Sequence, residues 1–262
     1  MSATPKSLIL NLLMAADGAP LSAGEAVGAA ALFGIRENSV RVALVRLGAT
    51  GLVASAGRGA YQLGPQATDL AEDLARWRHA EGRVCPWRGS WLMVSTGDLA
   101  RSDRGALRAR QRALALLGLR ALTPTLHVRP ANLVGGATQL RERLRRLGLE
   151  REAVVFDAHE LEPALDEQAR RLWDGEALTR AYQATHRQLL DWAARHTTLD
   201  LDTAARESYL LGNEAIRQLV FDPLLPEPLV DVDARRAFTE TVVAFDRTGH
   251  AIWRQLLATY RP

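Results

Sequence analysis

The sequence predicts a multidomain α+β protein with an N-terminal winged helix-turn-helix, a middle ferredoxin-like α+β domain and a C-terminal all-helical domain. Residues 33–63 combine a turn, an arginine-bearing amphipathic helix and two short strands joined by a Gly-Arg-Gly turn, in the order of a winged DNA-binding module. Strand and helix patterns then alternate, and helical periodicity dominates the rest. The predicted segments are a DNA-binding domain at 1–66, a connector at 67–86, the middle domain at 87–160 and the helical domain at 161–262.

The first domain is predicted to contain three helices. Ser7 is expected to cap a helix that runs to about Ala16, and Ser22 to start a second helix that ends before Phe33. A third helix is expected to begin near Glu37. Apolar residues repeat at helical spacing in the first and third helices and define their buried faces: Leu8, Ile9, Leu12 and Leu13, then Val40, Leu44 and Leu47.

The outer face of the third helix is the predicted DNA-reading surface. Short polar side chains and arginines suit the major groove, because arginine pairs with guanine edges or holds phosphates. Strands at 52–54 and 60–63 are predicted to form a hairpin whose tip places Arg58 near the minor groove or a flanking phosphate. The outer face also carries Val45, and Arg36 stands where a polar cap residue is expected. The predicted DNA-binding residues are Asn38, Ser39, Arg41, Val42, Arg46 and Arg58.

The middle domain is expected to follow a connector helix. That helix is predicted from Thr68 to about Ala80, with Leu70, Leu74 and Trp77 on one face. The order strand, helix, strand, helix, strand is typical of a small ferredoxin-like sheet. The predicted strands are 91–95, 126–129 and 153–157, and the predicted helices are 104–117 and 138–147.

Charge is distributed unevenly behind a net charge of +3. Residues 101–151 hold twelve arginines against three acidic residues, whereas residues 152–262 hold twelve arginines against nineteen acidic residues. The basic stretch either pairs with acidic residues or faces nucleic acid or a phosphorylated ligand. Its helix arginines are Arg101, Arg104, Arg108, Arg112, Arg141, Arg143, Arg145 and Arg146.

The C-terminal domain is predicted to hold helices at 174–196, 203–221 and 233–260, interrupted by a proline-rich segment at 222–228. Polar groups among aromatic rings are typical of an organic-ligand pocket, although each residue taken singly also suits a packed core. The predicted ligand-binding residues are Trp173, His186, Trp192, His250 and Trp253.

Other classes of protein find little support. The one cysteine, Cys85, allows neither a disulfide framework nor a cysteine-rich zinc site. No run of eighteen apolar residues is present, so a cytoplasmic protein is expected. Nucleophile-elbow, Walker, zincin and dinucleotide-binding motifs are absent, and neither a cofactor nor enzymatic activity is expected. Two alternatives stay open: a protein-binding adaptor and, least favoured, a metal-dependent nuclease that uses Asp98.

Four segments together resemble the PaaX-like repressors, the family that includes the regulator of bacterial phenylacetate degradation. They are FGIRENSVRVALVRLGATGLV at 33–53, WRGSW at 87–91, LRARQRALALLGLRALTPTLHVRP at 107–130 and RQLVFDPLLP at 217–226. The resemblance implies a three-part, dimeric, DNA-binding repressor of a catabolic operon, released by a small effector such as an acyl-coenzyme A ester. This chain departs from the family at His127, where tryptophan is frequent, and in a short wing with the single Arg58.

Overall fold

A computed structural model describes residues 3–16, 18–67, 76–100 and 102–260 and shows a mixed α+β protein. The chain divides into two compact units, each assembled from segments distant in sequence. The division cuts across the linear boundaries expected at residues 66, 86 and 160. Unit 1 comprises residues 1–78, 186–217 and 240–262, and unit 2 comprises residues 79–185 and 218–239.

The first part of unit 1 contains three helices and a small antiparallel sheet, whose strands lie in the order β1-β3-β2. The helices are α1 (Pro5–Ala15), α2 (Ala23–Ala31) and α3 (Glu37–Ala49). The strands are β1 (Leu21–Ser22), β2 (Val53–Ser55) and β3 (Ala60–Leu63). The predicted hairpin is therefore present, and β1 is an additional strand.

Capping residues set the helix starts. Thr4, not Ser7, caps α1: the Thr4 hydroxyl accepts the Ser7 N–H at 3.1 Å, and the Ser7 hydroxyl accepts the Thr4 N–H at 3.1 Å. The predicted cap at Ser7 is wrong because Ser7 is the other half of this reciprocal capping box. Ser22 caps α2, as predicted. Arg36 precedes α3 and makes no side-chain cap bond, which confirms the expected departure from a polar cap.

The core of unit 1 joins the N-terminal helices to C-terminal residues. The predicted apolar faces of α1 and α3 are buried in it. Ala205, Trp253 and Leu256 belong to the same buried cluster. The ring of Phe33 lies 5.0 Å from that of Tyr209 and stacks on Trp253 at 6.4 Å. Aromatic burial of this kind dominates core energetics, so these rings join the N-terminal part of unit 1 to its C-terminal residues.

Unit 2 is built around a four-stranded antiparallel sheet in the order β5-β6-β4-β7. Leu92, Val94 and Val155 on one face of the sheet pack against the two helices through Leu114 and Leu144. The predicted strands and helices are present, and the two-residue β5 is an addition. The elements are β4 (Trp91–Ser95), α4 (Arg104–Leu116), β5 (Arg120–Ala121), β6 (Leu126–Pro130), α5 (Gly136–Arg146) and β7 (Val154–Ala158).

The C-terminal region is helical, as predicted, with a further short helix before the three expected ones. The helices are α6 (Pro163–Arg170), α7 (Gly175–Arg195), α8 (Leu201–Val220) and α9 (Val232–Ala258), and one 3₁₀ turn spans His196–Thr198. Most of the predicted connector helix, 68–75, lies outside the described residues. Its end forms two 3₁₀ turns, Arg76–His79 and Glu81–Arg83. None of the described helices is long and apolar enough to cross a membrane.

The proline-rich segment 222–226 is held in unit 2 by buried polar groups. Asn132 donates to the Leu224 carbonyl at 2.6 Å, and Arg129 donates to the Pro223 carbonyl at 3.1 Å. The Tyr182 hydroxyl donates to the Asp222 carboxylate, and burial raises the pKa of Asp222. Each of these buried polar side chains thus has a partner, which is the condition for placing such groups inside a protein.

Candidate nucleic-acid interface

The outer face of α3 is presented to solvent because its opposite face is buried. Val40, Leu44 and Leu47 lie in the core, whereas Val45 is 73% exposed. The exposure follows the helical period of the sequence, so every side chain of the outer face projects from one side of a rigid support. The predicted residues Asn38, Arg41, Val42 and Arg46 are exposed there, and Ser39 is half-buried.

Arg41 is engaged by an acidic neighbour on the same helix. Its guanidinium Nε and Nη2 lie 2.8 and 2.6 Å from Oε1 of Glu37, one turn earlier. The two side chains are 62% and 57% exposed. An exposed helical pair of this spacing is worth only about 0.3–0.5 kcal/mol. The pair therefore orients Arg41 along the helix and adds little to stability.

A groove of about 520 Å³ lies between the start of α1 and α3. Four of the six predicted DNA-binding residues line it, and α1 contributes Lys6, which is not among the predicted residues. Lys6 is the chain's single lysine, but its place beside α3 depends on tertiary packing and gives no local sequence signal. The lining residues are Thr4, Pro5, Lys6, Asn38, Ser39, Val42, Ala43, Arg46, Leu47 and Thr50.

The β2–β3 hairpin places Arg58 at an exposed tip. Gly57 and Gly59 flank it with φ of +127° and +71°, a backbone region that favours glycine. The Gly59 carbonyl accepts the Ala23 N–H at 3.0 Å, and β1 pairs with β3. The hairpin is therefore fastened to the start of α2.

The five predicted ligand-binding residues belong to different units. Trp173 belongs to unit 2, where it stacks on Trp91 at 6.3 Å, and the other four belong to unit 1. Trp253 is part of the core under the N-terminal helices. His250 lies 3.4 Å from the Asp246 carboxylate.

Trp192 and Thr241 line a second cavity, and Thr241 is the hydrogen-bond partner of His186. This cavity, of about 290 Å³, lies between α7 and α9 in unit 1. The His186 ring nitrogen Nδ1 lies 2.8 Å from the hydroxyl of Thr241, which lines the cavity. Buried Trp192 donates to Glu207 at 3.0 Å. The lining residues are Leu189, Leu190, Trp192, Ala193, Glu240, Thr241, Ala244, Phe245 and Thr248.

The alternative nuclease site lacks a built ligand set. Asp98 is exposed in the turn after β4. Within the described ranges, no group of three or more His, Cys, Asp or Glu side chains is placed to hold a metal ion.

An arginine-bearing helix beside an arginine-tipped hairpin is a combination typical of transcriptional regulators. Comparison with protein families places the chain more narrowly. Residues 4–67 match the model of the PaaX-like protein, and residues 173–255 match the PaaX-like protein C-terminal domain, together more than half of the chain. The chain belongs to the PaaX-like family. Membership of this family indicates that the protein is a transcriptional regulator.

Other comparisons give the fold alone. The structure of the uncharacterized protein Rv0674 from Mycobacterium tuberculosis is similar, with a TM-score of 0.62 and 24% sequence identity. The match covers 95% of this chain and 98% of that one. A search of curated proteins finds no significant match.

Proposed function

We propose that the protein represses transcription by binding duplex DNA through a winged helix-turn-helix formed by α1–α3 and the β2–β3 hairpin. The observation that carries this proposal is the outer face of α3, which projects from a fully packed core. Such a helix enters the major groove, and the hairpin contacts the neighbouring backbone. A protein with this role acts in the cytoplasm, where its operator DNA is found.

The chemistry of the outer face divides into base reading and backbone binding. Asn38 and Arg46 offer the amide and guanidinium groups that pair with adenine and guanine edges. Val42 and Val45 are exposed apolar side chains, which favour thymine methyl groups. Lys6 at the groove and Arg58 at the hairpin tip supply charge for phosphates.

The rest of the chain is proposed to dimerise and to sense an effector. The order and antiparallel pairing of β4–β7 support a ferredoxin-like middle domain. Binding as a homodimer would place two reading helices on half-sites about 34 Å apart. An effector that favours another dimer geometry releases the DNA.

The effector is proposed to bind at the α7–α9 cavity. Trp192 and Phe245 give it an aromatic wall, and Thr241 and Thr248 supply hydroxyl groups. Its volume of about 290 Å³ is at the small end of ligand sites. The cavity therefore suits the aryl part of an aryl-acyl ester, with the remainder of the ester outside it.

The test is fluorescence anisotropy with duplex DNA from upstream of the protein's own gene and a scrambled duplex. Arg46→Ala and Arg58→Ala are compared with Arg187→Ala, an exposed α7 arginine outside the interface. We expect wild type to prefer the upstream duplex. Arg46→Ala should reduce that preference by about 1–3 kcal/mol, Arg58→Ala should weaken both duplexes, and the control should bind normally. If wild type binds both duplexes with equal affinity, the proposal of sequence-specific DNA recognition is overturned.

The effector site is tested in the same assay with phenylacetyl-coenzyme A and free coenzyme A. We expect phenylacetyl-coenzyme A, but not free coenzyme A, to release the protein from DNA. This release should be lost in Trp192→Ala and retained in Trp173→Phe. Trp173 serves as control because it belongs to unit 2 and does not line the cavity. Unchanged release from Trp192→Ala contradicts the cavity as the site, while DNA binding remains as proposed.

A further inference from the structure

Three arginines form a row along the exposed side of α4. Arg104, Arg108 and Arg112 are spaced by four residues, so they project from the same side of the helix at intervals of about 6 Å. All three are exposed, and none forms an ion pair with an acidic side chain of the described residues. The row therefore presents unneutralised positive charge over about 12 Å.

The neighbouring helix extends this basic surface. Close packing at Gly148 joins the end of α5 to α4, because a Cβ placed there would lie 3.2 Å from the Ala109 Cβ. Arg145, Arg146 and Arg151 are exposed in the same region. We call the six exposed side chains the arginine face: Arg104, Arg108, Arg112, Arg145, Arg146 and Arg151.

Acidic residues nearby are mostly committed to other partners. Glu150 accepts from Arg110, which lies beneath the face with its side chain buried, at 2.5 and 3.1 Å. Asp103 caps α4 by accepting the N–H groups of Gly105 and Ala106. Glu142 and Glu152 are exposed, so two carboxylates stand against six arginines. The face keeps a strong net positive charge.

Several carboxylates of the acidic C-terminal half are already paired with arginines of the same unit. These pairs are Asp166–Arg170, Glu167–Arg171, Glu176–Arg180, Glu207–Arg195, Asp233–Arg236 and Asp246–Arg78. These carboxylates already have partners, and the unneutralised arginine face fits a separate polyanion.

We infer that the arginine face binds the phosphate backbone of duplex DNA as a sequence-independent contact additional to α3; this inference rests on the proposed function. A row of cations along 12 Å of helix matches an extended polyanion, since duplex DNA carries one charge per about 1.7 Å of its axis. DNA is favoured over other polyanions because α3 already holds it, which raises its effective concentration near the rest of the chain. Arginines in contact with phosphates add affinity and salt dependence without reading bases.

The experiment measures DNA affinity against salt for the full-length chain and three variants. R104Q/R108Q/R112Q removes the α4 row while retaining helix-forming residues. R104K/R108K/R112K keeps its charge. R171Q/R180Q/R236Q removes the same charge from exposed positions that have acidic partners. Each protein is titrated with the upstream duplex and the scrambled duplex between 50 and 200 mM salt.

For the glutamine triple of α4, we expect the slope of log affinity against log salt to become shallower by about 2.7, or 0.9 per lost phosphate contact. Over that fourfold range of salt, wild type should lose about 40-fold more affinity than the variant. The preference for the upstream duplex should be unchanged. The lysine variant and the control triple should keep the wild-type slope.

The outcomes separate this inference from the proposed function. If R104Q/R108Q/R112Q keeps the wild-type slope of log affinity against log salt, the inference is overturned. The same result is expected if the arginine face binds RNA or an acidic protein instead of duplex DNA. An equal change in the control triple overturns it as well, because net charge alone then explains the effect. Loss of sequence preference in Arg46→Ala with an unchanged slope in the triple keeps the proposed function. Wild type that fails to prefer the upstream duplex removes the proposed function itself.

Discussion

Replacing Glu37 with Gln is expected to strengthen DNA binding, because Glu37 opposes the reading face in two ways. It holds the Arg41 guanidinium at 2.6 Å, and it places a carboxylate on the helix face that is proposed to approach phosphates. Releasing an exposed pair is worth about 0.3–0.5 kcal/mol. If that carboxylate is taken to lie about 7 Å from a phosphate, its removal relieves about 0.6 kcal/mol at the dielectric constant of water. The total of about 1 kcal/mol corresponds to a roughly fivefold lower Kd.

The assay is fluorescence anisotropy on the upstream duplex at low salt, with Glu176→Gln as the matched control. Glu176 forms the same Glu-to-Arg pair one turn apart, with Arg180 on α7. The control should leave Kd unchanged. Arg41→Ala should cost about 1–3 kcal/mol in wild type and more in the Glu37→Gln background, because Arg41 is then unrestrained. Weaker binding of Glu37→Gln would refute the reasoning and indicate that Glu37 itself contacts DNA, as an acceptor for cytosine amino groups.

Three further predictions concern the scaffold. Tyr182→Phe should lower the free energy of unfolding by about 1–3 kcal/mol in denaturant titration, because the buried Asp222 carboxylate loses a donor; an unchanged midpoint contradicts this role. Gly64→Ala should destabilise the hairpin by about 1–3 kcal/mol, since its Cβ would lie 2.2 Å from the Gly51 carbonyl oxygen; wild-type thermal stability would show that the backbone yields without cost. The hydrogen bond from Arg110 lowers the pKa of Glu150 below its ordinary value of 4.5. The contribution of ionised Glu150 to the free energy of unfolding is therefore complete above pH 4.5 and is lost as the pH falls through the lower pKa of Glu150 in the folded protein. Glu150→Gln should make the free energy of unfolding depend less steeply on pH in this acidic range.

Local sequence signals predicted most elements of the fold. The capping box at Ser22 and the apolar period of α3 gave helices with the observed starts, because both depend only on neighbouring residues. The start of α1 was misplaced because Thr4 and Ser7 are both good caps and the structure uses them as a pair. Strands β1 and β5 escaped prediction because two residues cannot display an alternating pattern.

The residues of the candidate site could be predicted only where they all lie on one helix. The outer face of α3 follows from its helical period, and four of the predicted residues are exposed on it together with Glu37 and Val45. Lys6 was missed because only tertiary packing brings α1 to that groove. The aromatic residues predicted to bind a ligand do not lie on one element, so no helical period fixes their common position. Trp253 lies in the core of unit 1, and Trp173 belongs to unit 2. Aromatic residues at helical spacing pack wherever apolar area is available, so the sequence could not rank these roles.

The shared core of unit 1 has a consequence for exchanging parts between relatives. Ala205, Trp253 and Leu256 cover the N-terminal helices, and Phe33 rests against Tyr209 and Trp253. A chimera that imports only the first 67 residues would meet foreign side chains across this boundary and lose matched packing. An N-terminal module that keeps its native packing when it is moved to another protein therefore has to include residues from both ends of the chain.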